Sequence, residues 1–226
     1  MTSGHATITD VTTKVYRFPT PEPESDGTLT WDATTAMTVT LEAGGHTGLG
    51  WTYSSPAAAD VVRHHLADVV RGSDAFDIGR GWEAMHRACR NIGTRGLAMQ
   101  ALSAVDIAWW DLKARLLGVS LTQLTGCFRT EIPIYGSGGY TNLSAAQLDD
   151  QIDWWHSVGC TAMKIKIGEA WGTNPDRDLR RVRQLRDRAG VGVELMVDAN
   201  GGYRLGQARR IGHTLDDLGV GWFEEP

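Results

Sequence analysis

The alternation of apolar and polar positions near the start of the chain predicts strands. Residues 7–18 and 34–42 are rich in β-branched and aromatic side chains with partial alternation, which is typical of strands. Residues 20–30 are rich in Pro, Glu, Asp and Gly and predict a loop between them. The glycine-rich run 44–50 predicts a hairpin turn that leads into a short strand at 50–53.

Helical periodicity follows these strands. Apolar residues recur at steps of three and four over 61–70 and again over 102–116, which predicts two helices. Gly118 is placed to end the second helix. We therefore expect residues 1–125 to form an α+β domain of strands followed by helices.

From about residue 130 strands and helices alternate. The predicted strands cover residues 132–135, 162–167, 192–197 and 220–224, and the predicted helices cover 145–158, 174–189 and 205–218. This (βα)₃β order implies right-handed crossovers and a parallel sheet. The strand ends recur at intervals close to the roughly 30 residues of one βα unit.

Charged residues cluster where these predicted strands end. Lys164 and Lys166 share one face of the second strand, because side chains alternate along a strand. The third strand ends at Asp198 and the fourth at Glu224. The carboxyl ends of parallel strands are where α/β folds build their sites, so these side chains would converge if the sheet curves into a barrel.

Carboxylates from separate strands suit a hard divalent cation, Mg²⁺ before Zn²⁺, because no His or Cys accompanies them. A lysine near a metal and a second lysine should have a lowered pKa, which would let it act as a base. Each motif alone has a simpler explanation: a solvated charged edge for the lysines, turn chemistry for Asp198 before Asn-Gly-Gly, and a solvated strand end for Glu224. Their occurrence in register on successive strands favours a functional site.

Composition excludes several classes of partner. The chain carries 22 Lys and Arg against 27 Asp and Glu, a net charge of −5, so we expect neither nucleic acid nor an anionic membrane as a partner. No apolar run approaches the roughly 18–20 residues of a membrane span, and the start shows no export signal. Three widely spaced cysteines without a CxxC pair predict a reducing, cytoplasmic location.

Four segments resemble the enolase superfamily, in its mandelate racemase/muconate lactonizing enzyme-like subgroup. They are MKIKIG at 163–168, VDANGGY at 197–203, GWFEEP at 221–226 and the helical ALSAVDIAWWDLKARLLG at 101–118. The resemblance implies an N-terminal α+β capping domain over residues 1–125. It also implies that residues 126–226 form the first (βα)₃β part of a TIM-like (β/α)₇β barrel, which takes roughly 250 residues when complete.

The resemblance also implies roles for individual residues. Lys166 would be the base that removes the proton α to a carboxylate, and Lys164 the cation that polarises that carboxylate. Asp198 and Glu224 would be Mg²⁺ ligands, and Asn200 would hydrogen-bond the substrate. A third carboxylate ligand, on a fifth strand, would lie beyond residue 226.

Further loops would contribute to specificity in such an enzyme. Residues 20–31 would be a mobile lid of the capping domain, and residues 50–55 a second specificity loop with Tyr53 as a substrate contact. Packing within the hairpin is an equal alternative for Tyr53. Ser137 lies in a Gly-Ser-Gly-Gly run that fails the dinucleotide fingerprint, because Thr141 replaces the third glycine, and we predict a substrate-lining loop there.

The prediction is an Mg²⁺-dependent enzyme that forms an enediolate from a small-molecule carboxylate, as an acid-sugar (hydroxy acid) dehydratase. Racemase, epimerase or cycloisomerase chemistry of the same superfamily is the alternative. A second hypothesis is that the 226-residue chain is catalytically inactive alone, and a third is a doubly wound fold that would bury both lysines in a helix-packed layer. We expect a homo-oligomer.

Overall fold

The computed structural model describes residues 6–226 and divides into two compact units. The first unit comprises the residues up to Pro19 together with Ala33–Thr130. The second comprises Thr20–Asp32 together with Glu131–Pro226. Residues 20–32 therefore belong to the second unit, although the residues on either side of them belong to the first.

Three long strands form the sheet of the first unit. They are β1 (Asp10–Ser25), β2 (Thr30–Ala43) and β3 (His46–Tyr53), in the order β1-β2-β3. β2 and β3 pair antiparallel around a two-residue turn at Gly44 and Gly45, where φ is 56° and 77°. Glycine adopts this left-handed backbone without steric cost, so the turn is tighter than the predicted 44–50.

Helices cover one face of this sheet. They are α1 (Ala57–Val61), a π-helical turn (Val62–Leu66), α2 (Ala67–Val70), α3 (Ile78–Ala88), α4 (Leu97–Leu117) and α5 (Leu121–Thr125). α4 ends as predicted at Gly118, whose left-handed φ of 67° caps the helix. The buried Trp109 of α4 donates its indole N–H to Ala75 O at 3.0 Å. No helix in the described part of the chain is long and apolar enough to span a membrane.

The predicted loop at 20–30 is wrong, because β1 and β2 continue through most of it. Only a short turn separates the two strands. Asp26 closes this turn by accepting hydrogen bonds from the backbone N–H groups of Thr28 at 2.6 Å and Leu29 at 2.8 Å. The resulting extension, residues 20–32, is called the hairpin tip below.

The second unit contains a four-stranded parallel sheet in the consecutive order β4-β5-β6-β7. Its strands are β4 (Tyr135–Gly138), β5 (Ala162–Lys166), β6 (Glu194–Asp198) and β7 (Val220–Glu224). Its helices are α6 (Ala145–Ser157), α7 (Glu169–Gly172), α8 (Pro175–Ala189) and α9 (Leu205–Asp217). The alternating (βα)₃β order is confirmed.

The first of these strands is displaced from its predicted position at 132–135. Ile132 and Ile134 precede β4 and are exposed, whereas Ser137 lies within β4 and not in a loop. A Cβ on Gly136 would overlap the Trp155 ring of α6, so a glycine is required where the helix meets the strand.

One face of the sheet packs against helices. Its fully buried side chains include Met163, Ile165, Leu195 and Val197. Lys164 and Lys166 alternate with them and point to the opposite face. The doubly wound alternative is wrong, because the strand order never reverses and the lysines lie outside the helix-packed layer.

Candidate active site

Three of the predicted site residues lie at one level of the parallel sheet, and two more lie two positions earlier along the strands. Lys166 of β5 is the register partner of Asp198 of β6, and Asp198 is the register partner of Glu224 of β7. On the other side of β5, Lys164 is opposite Ser137 of β4. Four successive strands thus carry polar side chains on the same face near their carboxyl ends.

Two ion pairs link these strands. Lys164 Nζ lies 2.6 Å from Glu224 Oε2, and Lys166 Nζ lies 2.5 Å from Asp198 Oδ2. The Asp198 side chain is 5% exposed and that of Lys166 18%, so this pair is largely shielded from water. Each lysine neutralises one carboxylate, which balances the charge of the site.

The surroundings of Lys164 raise its pKa rather than lower it. Burial alone would lower the pKa of this ammonium group, but its hydrogen bonds with Glu224 and Tyr135 outweigh burial. The same Lys164 hydrogen bond lowers the pKa of Glu224, against a smaller opposing effect of burial. These contacts therefore favour the cationic form of Lys164, and the lowered lysine pKa expected beside a metal stays a prediction.

The turn after β6 combines backbone and side-chain roles. Asp198 Oδ1 accepts the backbone N–H of Asn200 at 2.9 Å, while Oδ2 faces Lys166. Asn200 has a left-handed φ of 49°, which this residue type tolerates. Its Oδ1 is buried without a hydrogen-bond partner in the described residues, whereas its Nδ2 is 3.4 Å from Glu225 Oε2. Buried acceptors usually have a hydrogen-bond partner, so this atom is unusual. The contact of Asn200 with a substrate stays a prediction.

Two predicted substrate contacts have different surroundings. Ser137 is exposed on the lysine-bearing face of the sheet, next to Lys164 in register. Tyr53 is exposed on β3 and belongs to the first unit. Its contact with a substrate stays a prediction.

Two aromatic neighbours of the site are not among the residues predicted from the sequence. The Tyr135 ring centroid lies 5.2 Å from Lys164 Nζ, and Trp222 Nε1 lies 3.4 Å from Glu224 Oε2. Both residues sit two positions from a site residue on their own strand. Alternation along the strand could therefore have placed them on the same face.

The donors at the strand ends fit a magnesium ion in kind. Asp198 and Glu224 provide carboxylate oxygens on adjacent strands, and Mg²⁺ prefers such ligands. They are few in number: within residues 6–226 no group of three or more His, Cys, Asp and Glu side chains is arranged to hold a metal. Water and substrate would have to supply the other ligands.

Comparison with known proteins assigns both parts of the chain to one family. Residues 9–126 match the family described as mandelate racemase / muconate lactonizing enzyme, N-terminal domain. Residues 147–226 match the family described as enolase C-terminal domain-like.

Individual relatives agree with this assignment. The chain is 35% identical to 3,6-anhydro-α-L-galactonate cycloisomerase of Streptomyces coelicolor, over 97% of this chain and 62% of the relative. It is 32% identical to L-talarate/galactarate dehydratase of Salmonella typhimurium, over 80% of this chain and 46% of the relative. The chain thus spans about half to three fifths of the length of these relatives.

A solved structure shows the same fold. A racemase from Streptomyces coelicolor A3(2) with bound magnesium superposes with a TM-score of 0.92 at 35% identity, over 97% of this chain and 62% of that chain. The predicted fold, an α+β capping domain followed by the first part of an α/β barrel, is confirmed. This chain belongs to the mandelate racemase/muconate lactonizing enzyme-like group of the enolase superfamily.

Proposed function

We propose that this protein contributes to Mg²⁺-dependent removal of the proton α to a carboxylate, as part of an acid-sugar dehydratase. The observation that carries the proposal is the pair of lysine–carboxylate contacts, Lys164–Glu224 and Lys166–Asp198, on one face of the sheet near the strand ends. Two cations and two carboxylates on one face can bind an acid, take its proton and hold a metal.

Each lysine has its own role. Lys164, whose pKa is raised, stays protonated and pairs with the substrate carboxylate. Lys166, in its neutral form, takes the α-proton, and the electron pair of the broken C–H bond moves into the carboxylate to give an enediolate. Lys164 then stabilises the added negative charge.

Asp198 and Glu224 would hold the magnesium ion, which supplies positive charge that lowers the energy of the enediolate when bound. Asn200, with its free Oδ1, would accept a hydrogen bond from a substrate hydroxyl. We propose Ser137 and Tyr53 as further contacts to the hydroxyl groups of an acid sugar.

Dehydration follows when the enediolate electrons expel the β-hydroxyl group. That group takes up a proton and departs as water, and the remaining enol becomes a 2-keto acid. The L-talarate/galactarate dehydratase relative supports this outcome. The cycloisomerase relative supports the second candidate, in which the same enediolate step leads to isomerisation without loss of water.

We also propose that the 226-residue chain alone is catalytically inactive. Two carboxylates hold Mg²⁺ weakly, because this ion gives up its water ligands reluctantly. β4–β7 carry no histidine to protonate the leaving hydroxyl from the other side of a substrate. We expect the active form to be a cytoplasmic homo-oligomer that includes further barrel segments.

The test measures solvent deuterium incorporation and water loss by NMR, with Mg²⁺ and a library of acid sugars in D₂O. The chain is assayed alone and mixed with the C-terminal part of the Salmonella dehydratase. We expect dehydration only in the mixture, and none with Lys166→Met. Lys14→Met, an exposed lysine of β1, is the matched control and should retain activity.

Three other results of this assay would contradict parts of the proposal. Deuterium exchange without loss of water would contradict a dehydratase and support the isomerase candidate. Mg²⁺-dependent dehydration by the chain alone would contradict its proposed inactivity. An active Lys166→Met variant would contradict the role of Lys166 as the base.

A further inference from the structure

The second unit contains a buried arginine that contacts the loop after β4. Arg181 of α8 is 5% exposed, and its guanidinium group donates hydrogen bonds to three backbone carbonyls. They are Gly139 O at 3.0 Å, Tyr140 O at 2.9 Å and Leu143 O at 3.0 Å. All three belong to residues 139–143, called the β4–α6 loop below.

One of these carbonyls also contacts the strand that carries the proposed base. Gly139 O accepts the backbone N–H of Lys166 at 3.1 Å as well as the Arg181 guanidinium. The position of Lys166 at the end of β5 is therefore tied to Arg181 through a single shared acceptor.

The same loop holds the hairpin tip. Thr141 donates its backbone N–H to Ser25 O at 2.8 Å and its hydroxyl to Asp26 O at 2.8 Å. Asn142 donates its amide to Pro23 O at 2.7 Å and accepts the backbone N–H of Ser25 at 3.1 Å. The Thr141 hydroxyl also lies 3.2 Å from Ser25 O, so five hydrogen bonds fix the tip to the β4–α6 loop.

The hairpin tip in turn rests on the strand ends. A Cβ on Gly27 would lie 2.8 Å from Ile167 O and closer still to Ala199 O, the residues that follow Lys166 and Asp198. Gly27 O also accepts the backbone N–H of Trp171 at 2.9 Å. The tip therefore contacts the backbone beside both site residues.

We propose that Arg181 is a positioning residue, which fixes the β4–α6 loop and thereby the hairpin tip and the end of β5. This inference rests on the proposed function, which assigns Lys166 its role as the base. The guanidinium reaches the three carbonyls from two nitrogens, Nη1 and Nη2, held in one plane. A lysine ammonium has three donors on a single nitrogen and does not reproduce this spacing.

The burial of this cation supports a specific role. Burial, followed by the neighbouring Arg177, lowers the pKa of Arg181 to about 10, so it is charged at neutral pH. Placing a charge in the interior is unfavourable, and an apolar side chain would fill the space at lower cost. An apolar side chain could not donate the three hydrogen bonds that the Arg181 guanidinium makes to backbone carbonyls.

The test compares amide hydrogen exchange in the unsubstituted protein and in three variants: Arg181→Lys, Arg181→Met and the control Arg180→Met. Arg180 is exposed on the same helix. We expect the amides of Thr141 and Lys166 to exchange at least about tenfold faster in both Arg181 variants. Arg181 would no longer hold the loop that carries Thr141, nor the Gly139 carbonyl that accepts the Lys166 N–H. The Ala199 amide, which donates to Glu224 O, serves as the internal reference and should not change.

Unchanged exchange at Thr141 and Lys166 in a folded Arg181→Lys variant would overturn the proposal. An equal acceleration at Ala199 would also overturn it, because it would show a general loss of stability. If Arg181→Met does not fold, Arg181→Lys decides. The exchange measurement uses neither substrate nor metal. Failure of the proposed reaction would therefore not affect the exchange result, and unchanged exchange in the Arg181 variants would not affect the proposed reaction.

Discussion

At the scale of single residues, a buried acid and a buried phenol share a short hydrogen bond in the second unit. Tyr203 donates its hydroxyl to Asp178 Oδ2 at 2.6 Å, and both side chains are buried. Burial raises the pKa of Asp178, and this hydrogen bond opposes the rise. The phenol therefore favours the ionised form of this buried carboxyl, whereas burial favours the neutral form.

We predict that Tyr203→Phe lowers the free energy of unfolding by about 1–3 kcal/mol near pH 7. A carboxyl whose pKa is higher in the folded state binds its proton more tightly there, so stability falls as the pH rises through that window. Loss of the hydroxyl raises the pKa of Asp178 further. Urea unfolding should therefore show a larger loss near pH 7 than near pH 4.

Tyr16→Phe is the matched control, because Tyr16 is exposed on β1. Its effect should stay within about 0.5 kcal/mol at either pH. Equal losses in the two variants, or a loss in Tyr203→Phe that grows as the pH falls, would contradict the prediction.

Two glycines should respond to alanine in opposite directions. Gly27→Ala places a methyl group against the carbonyl of Ile167, so we expect a loss of about 1–3 kcal/mol and faster proteolysis of the hairpin tip. Gly212 lies in α9 with no atom near its Cβ position, so Gly212→Ala should stabilise by up to about 1 kcal/mol. Thermal unfolding would measure both, and a neutral Gly27→Ala would show that the tip does not rest on β5.

At the scale of elements, the parallel half of the chain follows its hydrophobic pattern closely. β5, β6, β7 and the helices between them lie within a few residues of their predicted positions. Local signals suffice here, because buried apolar faces and caps such as Asn174, which accepts the Arg177 N–H, agree with the tertiary structure.

The two strand errors share a physical cause. The Pro- and Glu-rich end of β1 has a loop-like composition, and its tip is held by Thr141 and Asn142, which are more than a hundred residues away. The apolar Ile132 and Ile134 predict the start of β4, whereas the strand begins at Tyr135 and contains glycines that leave room for Trp155. Long-range contacts therefore override local propensity at both places.

We predict that Ser144→Ala weakens α6 by about 0.5–2 kcal/mol. The Ser144 hydroxyl accepts the backbone N–H of Gln147, and the Gln147 side chain accepts the backbone N–H of Ser144 at 2.9 Å. Urea unfolding should detect the loss, whereas Ser144→Thr, which keeps the hydroxyl, should retain most of the stability. An equal loss in both variants would contradict a capping role.

At the scale of the whole molecule, the sequence predicts which residues form the site but not which of them contact one another. Order and spacing place Lys164, Lys166, Asp198 and Glu224 on one face of the sheet. They do not say which lysine meets which carboxylate, because that depends on side-chain reach across neighbouring strands. The β4–α6 loop and Arg181 carry no sequence signature, since their contacts are with backbone carbonyls.

We predict that the 226-residue chain associates as its concentration rises. β4 and β7 are sheet edges, and Trp222 is 57% exposed on the face that carries the lysines. Trp222→Lys should lower the average mass seen by sedimentation velocity. Trp154→Lys, a similarly exposed tryptophan on α6, should not. Equal effects of both changes would indicate nonspecific association through exposed aromatic side chains.

The discontinuous second unit has a consequence for synthesis on the ribosome. Its hairpin tip is translated early, yet the hydrogen bond from the Thr141 hydroxyl to Ser25 O joins residues 116 positions apart. At roughly 5–20 residues per second, the nascent tip waits on the order of 6–20 seconds before its partner loop is made. A fragment that starts after residue 130 would lack the hairpin tip that binds the β4–α6 loop. The second unit therefore cannot be produced from one continuous segment of the gene.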